Sequence, residues 1–189
     1  MTAPQAVVVG CSAGGLDALK ILLGGLDPAL PQAVLVCCHS GSDSVELLCE
    51  LLGRACPLPV FEALERQPVR GGAVQLAPSG YHLLVEADRH FALSVDPRVC
   101  HARPSIDVLF TSAAEVWRDA LVGVVLTGAN ADGADGLRQL RRLGGCAVVQ
   151  SPSDAEAPAM PQAALDRAGA DHCVTLEAIA PLLNRLCLP

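Results

Sequence analysis

A chain of 189 residues, 51% hydrophobic and 17% charged, can bury roughly 70% of the surface its unfolded form exposes, and one domain over residues 1–189 is expected. A net charge of −7 with no basic run longer than Arg141-Arg142 excludes the basic face of a nucleic-acid binder, and the lack of an 18-residue apolar stretch argues against membrane insertion. MTAPQAVVVG is not a signal peptide, and nine scattered cysteines with no CxxC pair read as reduced core residues of a cytoplasmic protein, not as zinc ligands or a disulfide framework.

Aromatic residues are only 3% of the chain, so the core must be built from Val, Leu and Ala, the usual material of a parallel sheet covered on both faces. Ala6–Gly10 reads as a buried strand and Leu16–Leu23 as a helix. Ala33–Cys38 is a second strand, and Val45–Leu52 a helix with Ser42, Asp43 or Ser44 as its cap. Gly72–Leu76, Tyr81–Ala87 and His90–Val95 are short extended runs split by turn residues, which predicts a small antiparallel meander. Helical spacing returns over Ile106–Trp117, opened by Pro104 and Ser105. A strand over Ala120–Leu126, a helix over Leu137–Leu143, a strand over Cys146–Gln150 and helices over Met160–Arg167 and Leu176–Leu186 complete the chain. The expected fold class is α/β: a doubly wound, mostly parallel sheet with helices on both faces and that meander. Functional groups should then lie beyond the carboxyl ends of the strands. The long loop Ser151–Pro161 is placed to flank them.

The first strand runs into Gly10-Cys11-Ser12-Ala13-Gly14-Gly15 and a helix, the G-x-S-x-G pattern in its strand–turn–helix setting. Small residues allow the sharp turn, and N–H donors at the helix start suit an oxyanion. The same turn also suits a bound anion, although no G-x-G-x-x-G spacing and no Walker lysine accompany it. Serine needs a base. His39 follows the second strand at the same end of the sheet, whereas His82 falls in the meander and His90 and His172 precede strands; His101, in a polar loop, competes with it. Asp132 stands in the glycine-flanked turn after the third long strand, as an orienting carboxylate or as a helix N-cap. Ser12, His39 and Asp132 thus converge from three βα loops in the roles of a catalytic triad. Gly128 and Gln139 occupy ligand positions that a calcium loop would need, which excludes that reading.

These residues lie in segments that resemble the catalytic domain of the CheB family of protein-glutamate methylesterases: VVVGCSAGGLDALK, VLVCCHS, GGAVQLAPSGYHLLV, RPSIDVLFTSAAEVW, VGVVLTGANADGADGLRQLRRLGG and PAMPQAAL. The resemblance implies hydrolysis of glutamyl methyl esters on the cytoplasmic domains of methylated chemoreceptors, or on another esterified protein, with deamidation of receptor glutamines in some relatives. It implies Ser12 as nucleophile, His39 as base and Asp132 as its partner, with the main-chain N–H of Ala13 and Ala129 serving the oxyanion. Arg103 would contact substrate, and neither a metal nor an organic cofactor is expected. The chain departs from the family pattern at Ala129, usually Met, at Ala13, often Thr, and at Ser40-Gly41-Ser42, where a proline is common. Many members carry a receiver domain that covers the site, and a chain starting at the catalytic strand would lack that lid. Two alternatives of other classes are a weak or inactive methylesterase-like module that binds a receptor or signalling partner, and a flavodoxin-like anion or nucleotide binder.

Overall fold

The computed structural model describes residues 3–39 and 44–188. In chain order the elements are β1 (Ala6–Cys11), α1 (Gly15–Gly24), β2 (Ala33–Cys38), α2 (Val45–Gly53), β3 (Val60–Glu62), β4 (Ala73–Leu76), β5 (His82–Val85) and β6 (Phe91–Ser94). There follow α3 (Ile106–Trp117), β7 (Leu121–Val125), α4 (Ala134–Arg142), β8 (Cys146–Gln150), α5 (Ala159–Arg167), β9 (His172–Val174) and α6 (Leu176–Cys187). Among the described residues, seven strands make one parallel sheet in the order β3-β4-β2-β1-β7-β8-β9, and β5 and β6 pair antiparallel outside it.

The central strands are buried on both faces, which is why they read as unbroken apolar runs instead of alternating ones. Period-two alternation divides their side chains between two cores. Val7, Val9 and Cys11 face α1, α2 and α6; Ala6 and Val8 face α3, α4 and α5. The β5–β6 hairpin adds Leu83, Val85 and Phe91 to the second core, against α3. The doubly wound sheet expected from the alternating pattern is present, with helices on each face.

The expected meander is smaller than the sequence suggested. Tyr81–Ala87 and His90–Val95 contain the hairpin strands, but Gly72–Leu76 contains β4, a parallel strand between β2 and β3. The connection from β3 to β4 carries no helix, so the strand–helix rhythm that marks the other parallel strands is missing there. Strand β3 is short, partly buried and preceded by Pro57 and Pro59, and its apolar pattern alone gives no strand signal. Ser44 caps α2 by accepting from the Leu47 N–H at 3.2 Å, while the other two cap candidates, Ser42 and Asp43, lie outside the described residues, as does Ser40-Gly41-Ser42.

Candidate active site

Ser12 stands one residue past β1 in a turn closed by the Gly15 N–H on the Ser12 carbonyl at 2.7 Å. Gly14 takes φ +73, and a Cβ there would sit 2.6 Å from Glu156 Oε2, so the turn needs glycine on both counts. The Ser12 N–H donates to Thr127 O at 3.0 Å, tying the turn to the end of β7. His39 stands one residue past β2, with its N–H on Cys11 O at 3.0 Å. Three adjacent strands therefore bring Ser12, His39 and the 127–132 loop to one edge.

The ring of His39 is 13% exposed, and its Nε2 lies 2.9 Å from Asp132 Oδ2. That separation makes an ion pair whenever the ring is protonated, although the Nε2–H is not aligned for a hydrogen bond among the described residues. Asp132 is fully buried. Its Oδ1 accepts from Ser105 Oγ at 2.8 Å and from the Asp107 N–H at 2.9 Å, and its Oδ2 accepts from the Ile106 N–H at 2.7 Å. Asp132 thus closes the amino end of α3, where unpaired N–H groups and the helix dipole favour negative charge. It does not cap its own following helix; that position belongs to Gly133. Burial alone would raise the Asp132 carboxyl, but His39, the two α3 N–H groups and Ser105 overcome it and hold the group below the usual carboxylate range.

Asp107 is the near neighbour that the sequence did not single out. Burial pushes its carboxyl up to about 6, against the pull of the Gly136 N–H, and the Asp132 charge pushes the same way. Its Oδ1 accepts from Gly136 N at 2.6 Å, joining α3 to α4. Ser105, besides holding Asp132, caps α3 by accepting from Val108 N at 3.4 Å. Its N–H donates to His82 Nδ1 at 3.2 Å, and His82 Nε2 reaches Pro97 O at 3.0 Å, which gives that buried histidine a structural place.

Ala13, next to Ser12 in the chain, and Ala129 are both exposed, and among the described residues neither main-chain N–H donates to another protein group. Thr127 sets their spacing: its Oγ1 donates to Ala13 O at 2.9 Å and accepts from Ala157 N at 2.8 Å. Gly128 N donates to Ala157 O, and Met160 N to Gly128 O, so the Ser151–Pro161 loop braces the 127–130 turn. Met160 itself is buried against Gly128.

Two clefts meet at Ser12, Cys38 and His39. One, of about 310 Å³, is also lined by Arg98, His101, Arg103 and Asn130; the other, of about 390 Å³, by Leu47 and Glu156. Arg103 lines the first cleft while its Nη1 donates to Val95 O at 2.7 Å and Asp96 O at 3.2 Å. Its Nε is buried without a partner among the described residues. Possible metal ligands gather once among the described residues, where Cys100, Asp107 and Asp132 offer atoms within 4.8 Å of one another. The Asp132 oxygens already accept three hydrogen bonds and face His39, and Asp107 Oδ1 is held by Gly136, so these carboxylates fit a hydrogen-bond network better than a cation.

The sequence model described as CheB methylesterase matches residues 7–183. A Leptospira interrogans protein whose name includes the words protein-glutamate methylesterase/protein-glutamine glutaminase is 43% identical over 182 residues, covering 96% of this chain and 94% of that protein. A Symbiobacterium thermophilum protein-glutamate methylesterase/protein-glutamine glutaminase is 38% identical over 95% of this chain, which spans 49% of its length. The crystal structure of the Thermotoga maritima CheB methylesterase catalytic domain superposes with a TM-score of 0.93 at 26% identity, covering 98% of this chain and 100% of that one.

Proposed function

The chain belongs to the CheB methylesterase family, and from that premise we propose that it is a serine esterase that hydrolyses glutamyl methyl esters of proteins through Ser12, His39 and Asp132. The observation that carries the reading is the short contact between His39 Nε2 and the buried Asp132 carboxylate, set beside Ser12 at the ends of adjacent strands. With Nε2 turned to Asp132, Nδ1 is the ring nitrogen left to serve Ser12.

In the proposed reaction, Ser12 Oγ attacks the ester carbonyl as His39 Nδ1 takes its proton. Asp132, held ionised by α3, stabilises the imidazolium. The carbonyl oxygen becomes an oxyanion between the Ala13 and Ala129 N–H groups, and their lack of an acceptor among the described residues suits that role. Collapse breaks the bond to the methoxy oxygen, His39 returns the proton, and methanol leaves. Water then attacks the acyl-enzyme by the same route, freeing the glutamate carboxylate and Ser12. A glutamine side chain follows the same path with ammonia leaving, in keeping with the second activity in the relatives' names.

The partners we propose are the cytoplasmic domains of methylated chemoreceptors, or another esterified protein. Arg103, on the cleft wall, is the substrate contact. Action in the cytoplasm suits nine unpaired cysteines and a chain in which no described helix is long and apolar enough to cross a membrane. The test is methanol release from methylated chemoreceptor membranes by the wild type and by Ser12→Ala. Release by the wild type alone supports ester hydrolysis and its nucleophile together. Release by neither would return the chain to the binding-module reading.

A further inference from the structure

The residues immediately before the nucleophile and the base are both cysteines, Cys11 before Ser12 and Cys38 before His39. The β1–β2 register sets Cys11 opposite Cys38, and both side chains belong to the α1 face, whereas Cys37 belongs to the α3 face. A Cβ built on Gly15 would stand 2.7 Å from Cys11 Sγ and 3.4 Å from Cys38 Sγ, so both sulfurs pack beneath the first residue of α1. Each thiol shifts the other: Cys11 holds Cys38 below the ordinary thiol range against the opposing effect of burial, and Cys38, together with burial, raises Cys11. Cys11 is fully buried, while Cys38 is partly exposed and lines both clefts. Cys38 Sγ is therefore the sulfur reachable from the clefts, and Cys11 Sγ lies behind it beneath α1.

We propose that Cys38 and Cys11 form an oxidisable pair in the floor of the clefts, open to a small hydroperoxide, whose disulfide form turns the site off. Cys38 Sγ attacks the peroxide O–O bond; an S–O bond forms, the O–O bond breaks, and water or an alcohol leaves with the thiol proton. Cys11 Sγ then attacks Cys38 Sγ; the S–S bond forms, the S–O bond breaks, and water leaves with the Cys11 proton. Two thiols are oxidised by two electrons and one peroxide is reduced. Adjacent strands about 4.8 Å apart lie within the Cα separation a disulfide accepts. Closure to the S–S bond length moves both sulfurs out of their packing beneath Gly15, at the residues that adjoin Ser12 and His39, and small misplacement of such groups costs about 100-fold in rate.

The loss of activity rests on the esterase reading; the sulfur chemistry does not. The full chain is treated with hydrogen peroxide, its remaining thiols are alkylated, and peptides are mapped beside the methanol-release assay. The expected result is a Cys11–Cys38 linked peptide with activity down about 100-fold and restored by dithiothreitol. Cys38→Ala and Cys38→Ser should form no such link and, whatever their untreated rate, lose no further activity under peroxide. Cys11→Ala should stop at a sulfenic acid on Cys38 that a dimedone probe captures. Absence of the linked peptide in the oxidised wild type, or Cys38 variants inactivated as fast as the wild type, overturns the proposal. A linked peptide in a protein inactive on every methyl ester before oxidation would refute the esterase reading and leave the sulfur chemistry standing.

Discussion

Asp107 and Asp132 lie side by side at the amino end of α3, and their surroundings drive them to opposite protonation. Asp132 accepts from two α3 N–H groups and Ser105, faces His39, and stays ionised below the usual range. Asp107 accepts from Gly136 N alone on its Oδ1, is desolvated, and feels the Asp132 charge, which leaves it near 6. The proton that this pair takes up first as pH falls belongs on Asp107, so the carboxylate serving His39 keeps its charge.

Asp107 should make the fold less stable at neutral pH than at mildly acid pH. Its folded-state pKa, about 6, is raised above the unfolded value near 3.9, so its contribution is complete below about pH 4 and is lost as pH rises through about 6. Asn at this position keeps an acceptor for Gly136 and an N–H for Asp132, imitating the neutral acid. Asp107→Asn should be stabilised by about 2 kcal/mol at pH 8 and unchanged at pH 4. Urea unfolding at the two pH values measures this; equal effects at both would show that Asp107 does not titrate as described.

Asp132→Asn should fail in both stability and rate. An amide carries one acceptor oxygen where the carboxylate has two, and its NH2 group would face an α3 N–H donor. Loss of such charge-assisted bonds costs about 3 kcal/mol, and a base left without its carboxylate slows acyl transfer by about 10⁴. The linkage runs opposite to Asp107: a depressed carboxyl stabilises above its unfolded value near 3.9, and that stability is lost as pH falls through the lower folded value. The stability of the wild type should therefore fall more steeply below pH 4 than that of the variant, which keeps only the limb of other low carboxyls such as Asp171, read by circular dichroism.

How far these groups were legible from sequence follows from the range of their contacts. Ser12, His39 and Asp132 could be picked out because each directly follows, or sits in the loop after, an apolar run of strand length, and parallel strands deliver such positions to one edge. Ser105 was visible only as a helix start, and Asp107 only as an acidic residue in a first turn. Their bonds to Asp132 and Gly136 span 25 or more residues and exist only because α3 lands across the ends of β1 and β7. Strand β4 reads as part of the meander because it is a short extended run split by turn residues from the two that follow, and nothing local tells a helix-less parallel crossover from a hairpin.

Ser105→Ala should separate support from chemistry. It removes the 2.8 Å bond to Asp132 and the cap on Val108 while leaving the two main-chain donors in place. The expected cost is about 1 kcal/mol of stability, typical of a lost N-cap. With one fewer donor, the Asp132 carboxyl should titrate higher than in the wild type, moving the acid-unfolding limb below pH 4 upward. An unfolding limb that superposes on the wild type would confine Ser105 to capping α3.

Gly128→Ala should damage the turn that carries Ala129 without touching Ser12, His39 or Asp132. A Cβ at Gly128 would stand 2.6 Å from both Met160 Cε and Sδ and 2.9 Å from Met160 Cβ. The thioether end can swing away, but the Met160 Cβ is fixed by the helix, and the Met160 N–H is bonded to Gly128 O. The turn must therefore move relative to α5, with an overpacking cost of about 2 kcal/mol. Displacing one proposed oxyanion donor lowers kcat by about 100-fold with KM little changed. Met160→Ala added to Gly128→Ala removes the overlap with the side-chain end but not with Cβ, so it should restore only part of the rate. Steady-state kinetics on a methyl ester substrate distinguish these results: a Gly128→Ala variant with wild-type kcat would mean that the 127–130 turn does not carry the oxyanion.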